Sequence, residues 1–593
     1  MNLYAGKIVR VDLTEGKITV EETRRDWISE YIGGMGLGFR YLWDEIDPKI
    51  DPLSPANAMI FMNGPLAGTL APLTSRMPLI SKSPKSGTLF ESNVGGAIAA
   101  ELKYAGYDGI IIKGKAEKPV YLSIRNKNIE IKDAENLWGK GIFATEKELG
   151  ELEKDPEIKI FSIGPAGERL IPMACIGSEA YRQLGRDGSG ALMGSKNLKA
   201  IAIRGTGSVH VADLKGFLDY VRKVSAENLM TKDNLWAHTD GTPILVEITN
   251  EMGIHPTRNF QEGTFDGWRK INSDSVRSIK KGARACRSCP LACGNYVRTE
   301  RTMVEGPEYE TLALAGSNCG IADIETVARF NERCDDLGLD TISTGNTIAF
   351  AMELTEKGIH DFGATFGDTD NYLKIPDEIA SLRARGKELA QGVRYIAEKY
   401  GGKEFAMEIK NLELPGYEPR GNYGMGLAYA TSERGACHLR AFTIFSQTPF
   451  DLEAMAQEVA AGQNTNSIKW SMCFCDFWGS VNTQIMSQFL KYGLGKEITS
   501  EELERMGERI WNLSRIFNLK AGFTRADDEI PIRLKREPLK KGTNEGKVLS
   551  AEDFEKMLQI YYRIRGWDAN GVPKAEKLGA LGIAAFASTR RRE

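Results

Sequence analysis

The chain has 593 residues, 42% of them hydrophobic and 26% charged, and its 77 Lys and Arg nearly balance 80 Asp and Glu for a formal net charge of -3. This is the composition of a soluble globular protein and excludes a disordered, collagenous or fibrous chain. The near-neutral balance excludes a global pull on nucleic acid or anionic membranes. At roughly 100–200 residues per domain the length predicts several domains, of the order of three. No run of about 18 apolar residues is present to span a bilayer, and the N-terminus shows no basic and apolar leader, so a cytoplasmic protein is expected. Nine Cys are too sparse for a disulfide scaffold, and in a reducing compartment clustered thiols read as metal ligands.

In chain order, Val9, Val11 and Leu13 alternate with polar residues, Thr14-Glu15-Gly16 makes a turn, and Ile18 and Val20 resume the alternation. This predicts a hairpin. Further strands are predicted over 58–62, 109–112, 120–124, 129–131, 158–163 and 198–203, each a short apolar or alternating run bounded by Gly, Pro, Asn or Asp. Beyond Gly207 the period lengthens to 3.6. A helix is predicted over 323–335, stopping at Gly338, and the next begins near Asp340, where acceptor side chains can cap free N–H groups. Thr499-Ser500-Glu501-Glu502 reads as a capping box ahead of the stripe Leu503, Met506, Ile510, Leu513 and Phe517. The expected division is therefore α+β: a β-rich domain over 1–208 followed by two mainly helical domains, 209–415 and 416–593.

Cys286-Arg287-Ser288-Cys289-Pro290-Leu291-Ala292-Cys293 is the strongest local signal. Three thiolates in one loop can ligate one centre, with a fourth ligand from elsewhere. Cys473 and Cys475 are the distant candidates, and spacing alone leaves zinc, an iron–sulfur cluster and inert thiols open. Gly33-Gly34-Met35-Gly36-Leu37-Gly38 lacks the dinucleotide spacing, and Gly190 to Lys196 is one residue short of a P-loop, so both nucleotide motifs are rejected. Arg182-Gln183-Leu184-Gly185-Arg186 combines guanidinium groups with exposed amides and suits a phosphate, or else a solvated turn. Asp335 and Asp340 flank a helix break, where they act as caps or accept hydrogen bonds from a guanidino-type edge such as that of a pterin. His438 and Glu310 are acid–base candidates that nothing local singles out from structural residues.

Together with Gly64-Pro65-Leu66-Ala67-Gly68, Lys82-Ser83-Pro84, Ala105-Gly106-Tyr107-Asp108, Ile163 to Glu168, Met193-Gly194-Ser195-Lys196 and Glu305 to Glu310, these segments lie in an order that resembles the tungsten-containing aldehyde:ferredoxin oxidoreductase family over nearly the whole chain. The resemblance implies a β-rich base carrying tungsten held by two pyranopterins, a nearby [4Fe-4S] cluster and Mg2+ joining the pterin phosphates. It implies Cys286, Cys289, Cys293 and Cys475 as cluster ligands, and Arg76 between cluster and pterin. Asn93, Gly95, Arg182, Gln183 and Gly185 fall on the phosphate side, and Asp335, Leu339 and Asp340 at one pterin edge. Arg434 and Arg440 lie near the cofactors, with Glu310 and His438 as the acid–base pair.

Three departures stand out. The family's second pterin motif, D-x-x-G-L-C, reads here Trp470-Ser471-Met472-Cys473-Phe474-Cys475, without its Asp or Gly. Its E-x-x-H for a bridging metal reads Arg329-Phe330-Asn331-Glu332, so neither that metal nor its dimer is expected. Cys319 stands where relatives often carry Leu, as a buried thiol or an extra ligand. The implied function is oxidation of an aldehyde to a carboxylic acid, with electrons leaving singly to ferredoxin or a small iron–sulfur subunit. No nucleic-acid partner is expected, and a homo- or hetero-oligomer is left open. The alternatives are the tungsten subunit of an aromatic acyl-CoA reductase of the benzoyl-CoA type, which Cys319 as a tungsten ligand favours, and a zinc-stapled binding protein.

Overall fold

The computed structural model describes every residue except 301–302, 477–478, 480 and 589–593. The first two hundred residues form two six-stranded sheets. One runs β2 (Lys17–Glu22), β1 (Lys7–Asp12), β6 (Gly109–Lys113), β3 (Met59–Met62), β4 (Met77–Lys82) and β5 (Leu89–Val94). The other runs β11 (Arg182–Leu184), β10 (Ile176–Ser178), β9 (Lys159–Ile163), β12 (Leu198–Arg204), β7 (Val120–Arg125) and β8 (Asn128–Asp133). Their inner faces share one core, in which Val9, Val11, Phe61, Ile110 and Ile112 meet Leu122, Phe161, Ile201 and Ile203. The rings of Phe61 and Phe161 stack at 5.1 Å.

Because side chains alternate along a strand, Ile111 points the other way, with Ile8, Ile60 and Ile80, into a second core. That face is covered by α1 (Gly34–Glu45) and by residues from the far end of the chain. The expected hairpin is β1–β2, and the predicted strands are all present. β4 and β5, which the sequence reading did not include, complete the first sheet.

The helical part follows its caps. In α2 (Ile324–Leu337) the Asp323 side chain accepts from Thr326 N, and Gly338 ends the helix at φ 74°. In α3 (Thr341–Glu356) Asp340 accepts from the backbone N–H of Ile342 and Ser343. α4 (Tyr423–Thr431), α5 (Leu452–Ser471), α6 (Ser500–Ala521) and α7 (Ala551–Arg565) follow. The Thr499 capping box forms, and the stripe from Leu503 to Phe517 is buried against the first sheet and α1. α2, α3, α4, α5 and α7 share one large core, so residues on both sides of position 415 pack together. No described helix is long and apolar enough to cross a membrane.

Two contacts tie the helical part to the sheets and thereby build the site. The turn after α2 is pinned by hydrogen bonds from Cys175 N to Gly338 O at 2.9 Å and from Asp340 N to Met173 O at 3.0 Å. The end of α5 and the residues after it lie against two glycine segments: a Cβ on Gly34, in the run rejected as a dinucleotide motif, would sit 2.2 Å from Trp470 O, and one on Gly64 2.4 Å from the Met472 carbonyl carbon. These glycines permit backbone-to-backbone approach where no side chain fits. Gly64→Ala should therefore push residues 470–475 off their seat, lowering stability by about 1–3 kcal/mol as overpacking does. A lower thermal midpoint together with lost metal content would show it.

Candidate active site

The loop between β13 (Lys280–Arg284) and β14 (Gly294–Arg298) carries Cys286, Cys289 and Cys293 and docks on the sheet domain through Arg287 N to Gly96 O at 3.0 Å and Ser288 Oγ to Thr69 O at 3.1 Å. Cys475 is brought to the same place by its N–H, which donates to Leu73 O at 2.8 Å. The thiols of Cys289 and Cys293 feel both Cys475 and Cys286 electrostatically, and burial together with these neighbours pushes Cys289 up to about 11. Arg76 Nη2 donates to Cys475 Sγ at 3.2 Å, and a Cβ on Gly95 would lie 2.8 Å from Cys286 Sγ. Gly95 thus marks where the thiols, Arg76 and Arg182 come within reach of one another.

Cys473 is placed differently. Its φ is 63°, the left-handed conformation that glycine adopts readily, and its thiol accepts from Gly64 N at 2.9 Å, with none of the four cysteines just described among the groups that act on it. Among the described residues no three His, Cys, Asp or Glu side chains gather as ligands of a single metal ion.

Next to the thiols, Arg182 Nη1 pairs with Glu305 at 2.8 Å while its Nε and Nη2 have no hydrogen-bond partner. Asn93 Oδ1 and Arg434 Nε are likewise buried without a hydrogen-bond partner. Buried guanidinium donors are costly unless an anion meets them, so this wall fits a phosphate-bearing ligand. Gln183, Gly185, Asp335, Leu339, Asp340 and Glu310 line one polar cavity of about 200 Å3. Asp335 accepts from Gln183 Nε2 at 3.0 Å and Asn331 Nδ2 at 2.9 Å, and burial raises it to about 8. Asp340 is a helix cap, as one reading held, and also faces Arg186 at 3.5 Å, whereas Asp335 caps nothing.

A second cavity, of about 350 Å3, is lined by Trp236, Ile244, Leu245, Ile248, Tyr417, Leu439, Phe442 and Phe445, together with His438, Cys293, Thr242, Asn466 and Asp476. Its volume lies in the range of small-ligand pockets. Glu310 and His438 stand where the two cavities meet, with Glu310 Oε1 3.6 Å from His438 Nδ1 and neither atom otherwise bonded. Glu310 is fixed through Oε2, which accepts from Gly416 N at 2.9 Å. Burial raises its carboxyl to about 7 against the opposing pull of the Gly416 N–H and Arg186. Burial, reinforced by Arg186, Arg434 and Arg440, drives His438 well below its ordinary value and keeps the ring neutral. The pair is thus a carboxyl poised to gain or lose a proton beside a neutral imidazole.

Of the residues singled out in the sequence, Gln183, Gly185, Glu310, Asp335, Leu339 and Asp340 line the first cavity and Cys293 and His438 the second, whereas Arg76, Asn93, Gly95, Arg182, Arg434, Arg440, Cys286, Cys289 and Cys475 line neither. Several partnerships that matter were not expected. Arg186 donates to Ala436 O and Glu413 O, both at 2.6 Å, and so sets the loop that carries His438. Glu91, Asp187 and Glu433 supply buried carboxylates to Arg434 and Arg440. Cys319 is buried in the helical core with its thiol 3.4 Å from Leu314 O and Gly345 O, and it lines neither cavity.

Two family models cover most of the chain: "aldehyde ferredoxin oxidoreductase, N-terminal domain" over residues 8–205 and "aldehyde ferredoxin oxidoreductase, domains 2 & 3" over 218–583. A tungsten-containing aldehyde ferredoxin oxidoreductase of Pyrococcus furiosus is 39% identical over 98% of this chain and 99% of the relative. The WOR-like subunit of an aliphatic sulfonate oxidoreductase from the same organism is 32% identical over 98% of this chain and 97% of its own. Among solved structures, a chain of the active site complex BamBC of benzoyl coenzyme A reductase with 1,5-dienoyl-CoA is similar at a TM-score of 0.85 and 25% identity, covering 99% of this chain and 98% of that one.

The two late cysteines can be told apart. Cys475→Ser should strip most of the bound metal on anaerobic metal analysis, whereas Cys473→Ser should retain it, because only Cys475 lies among the other thiols.

Proposed function

The chain belongs to the aldehyde ferredoxin oxidoreductase family, and from that premise we propose that it oxidises apolar aldehydes to carboxylic acids at a tungsten-pterin centre, with Glu310 and His438 as its acid–base pair. The observation that carries this reading is the placement of that pair between the polar cavity bearing the pterin-motif residues and the apolar cavity. Aldehyde and water give acid, two protons and two electrons. When bound, the tungsten-pterin group would accept the electron pair and a [4Fe-4S] cluster on Cys286, Cys289, Cys293 and Cys475 would pass the electrons on singly.

The chain's own groups do the rest. The apolar cavity takes the aldehyde's substituent, and His438 offers a neutral hydrogen-bond donor to the carbonyl oxygen as charge grows there. Glu310, in its ionised form, takes a proton from water or from the hydrated aldehyde. Arg182 and Asn93, with Gly95, Gln183 and Gly185 beside them, would receive the pterin phosphates and their Mg2+, and Arg76, which donates to Cys475, would lie between cluster and pterin. Asp335, Leu339 and Asp340 would face one pterin edge, and Arg434 and Arg440 would neutralise charge nearby.

Among the described residues the lining of the apolar cavity includes no Lys or Arg, which disfavours phosphorylated, sulfonated and CoA-linked substrates. The acyl-CoA reductase alternative also loses its distinguishing residue, since Cys319 faces backbone carbonyls in the core. Ferredoxin or a small iron–sulfur subunit is the proposed acceptor. Four half-buried or buried thiols held as ligands suit a reducing, cytoplasmic compartment.

Glu310→Gln should leave metal content intact and lower kcat about 10²–10⁴-fold, the usual worth of a positioned base. In the unsubstituted enzyme kcat should rise with pH through about 7 as Glu310 loses its proton, and the substitution should abolish that rise. Normal turnover in this variant would remove Glu310 from the reaction. Phe442→Ala, at the wall of the apolar cavity, should raise KM for a bulky aromatic aldehyde roughly 10-fold or more while changing that for acetaldehyde little.

A further inference from the structure

We propose that Glu91 supplies the carboxylate for the second pterin edge, on the side of the site where Trp470 replaces the family's aspartate; the inference rests on the tungsten-pterin reading above. A pterin edge presents amino and ring N–H donors and calls for a carboxylate acceptor. Trp470 cannot provide one, since an indole only donates. Its ring instead packs beneath the Arg440 guanidinium, whose carbon lies 4.1 Å from the ring centroid. From that guanidinium Nη1 donates to Glu91 Oε2 at 2.9 Å and Nε to Glu433 Oε1 at 2.6 Å, so two carboxylates are reached from the altered position, and of these Glu91 is the one that stands beside Asn93, whose Oδ1 is unpartnered.

Glu91 is 1% exposed and sits on β5 two residues before Asn93, on the same face of the strand. Arg434 Nη1 donates to its backbone carbonyl at 2.7 Å, and Asn93 Nδ2 donates to Oε1. The carboxylate is not required merely to balance charge. Arg440 already has Glu433, with Nε donating to Oε1 at 2.6 Å, and Arg434 already has Asp187 at 3.2 Å. A carboxylate offers about four lone-pair directions, of which Asn93 and Arg440 use one on each oxygen. The adjoining wall is also incomplete by itself: Asn93 Oδ1 and Arg434 Nε are buried without partners. A surplus buried acid beside unpaired polar atoms is what a polar ligand with N–H donors would complete.

The test compares wild type, E91Q and E91Q/W470D, purified anaerobically, by fluorescence of the oxidised pterin, iron content and thermal melting. Expected is a fall of about twofold or more in the pterin-to-iron ratio of E91Q at unchanged iron and melting, because pterin N–H groups lose a charged acceptor. W470D in the same chain should restore the ratio. An E91Q ratio equal to wild type overturns the proposal, as does failure of W470D to restore it. If E91Q alone does not fold, recovery of folded, pterin-loaded E91Q/W470D supports the proposal, and failure to recover it overturns it. Wild-type protein with iron but no pterin would instead take down the tungsten-pterin reading itself, and this inference with it.

Discussion

The site depends on one contact: the backbone of residues 470–475 lying directly on that of Gly33, Gly34 and Gly64. Arg76 N donates to Cys473 O at 3.2 Å, and Cys475 N to Leu73 O at 2.8 Å. These bonds carry a cysteine from the far end of the chain to an arginine 399 positions earlier. The close approach has a steric origin, since any side chain at these glycines would occupy the space the neighbouring peptide groups fill. The apolar faces of α1, α5 and α6 supply the burial that holds the contact closed. Geometry at the thiols is therefore set by packing some distance from them.

Electrostatics at the centre is dominated by burial at both members of the pair, against opposition at Glu310 and with reinforcement at His438. Glu310 has Arg186 within electrostatic reach, a neighbour that by itself would hold a carboxylate ionised, yet desolvation raises it to about 7. At His438 desolvation and three arginines act in the same direction, so the ring is neutral. A charged imidazole facing a carboxylate would form a tight ion pair and occupy both groups. The arginines prevent that, and the 3.6 Å gap leaves both polar atoms available.

Much of the fold could be read from local pattern because the relevant forces are local. Alternation marks β1 and β2, and Asp323, Gly338, Asp340 and Thr499 mark helix ends where the structure has them. β5 escaped because Leu89-Phe90-Glu91-Ser92-Asn93-Val94 buries the polar Glu91 and Ser92 as completely as its apolar residues, and the sequence shows no two-residue rhythm of hydrophobicity. Among site residues, the cysteine loop announces itself by spacing, and the helix break at Asp335 to Asp340 by its caps. The partnerships of Arg186 and Asp187 left no such trace, because the groups they meet lie more than two hundred positions away. Resemblance located the phosphate-side residues, while only coordinates showed that Trp470 is stacked under Arg440 and that Glu91 lies beyond it.

The walls around the centre come from β5, the segment at 182–187, the turn after α2, the loop at 434–440 and the seat at 470–475. No one of these stretches makes the site by itself: its walls meet only where segments from the start, the middle and the later part of the chain have docked on one another, so the centre exists only in the fully assembled chain.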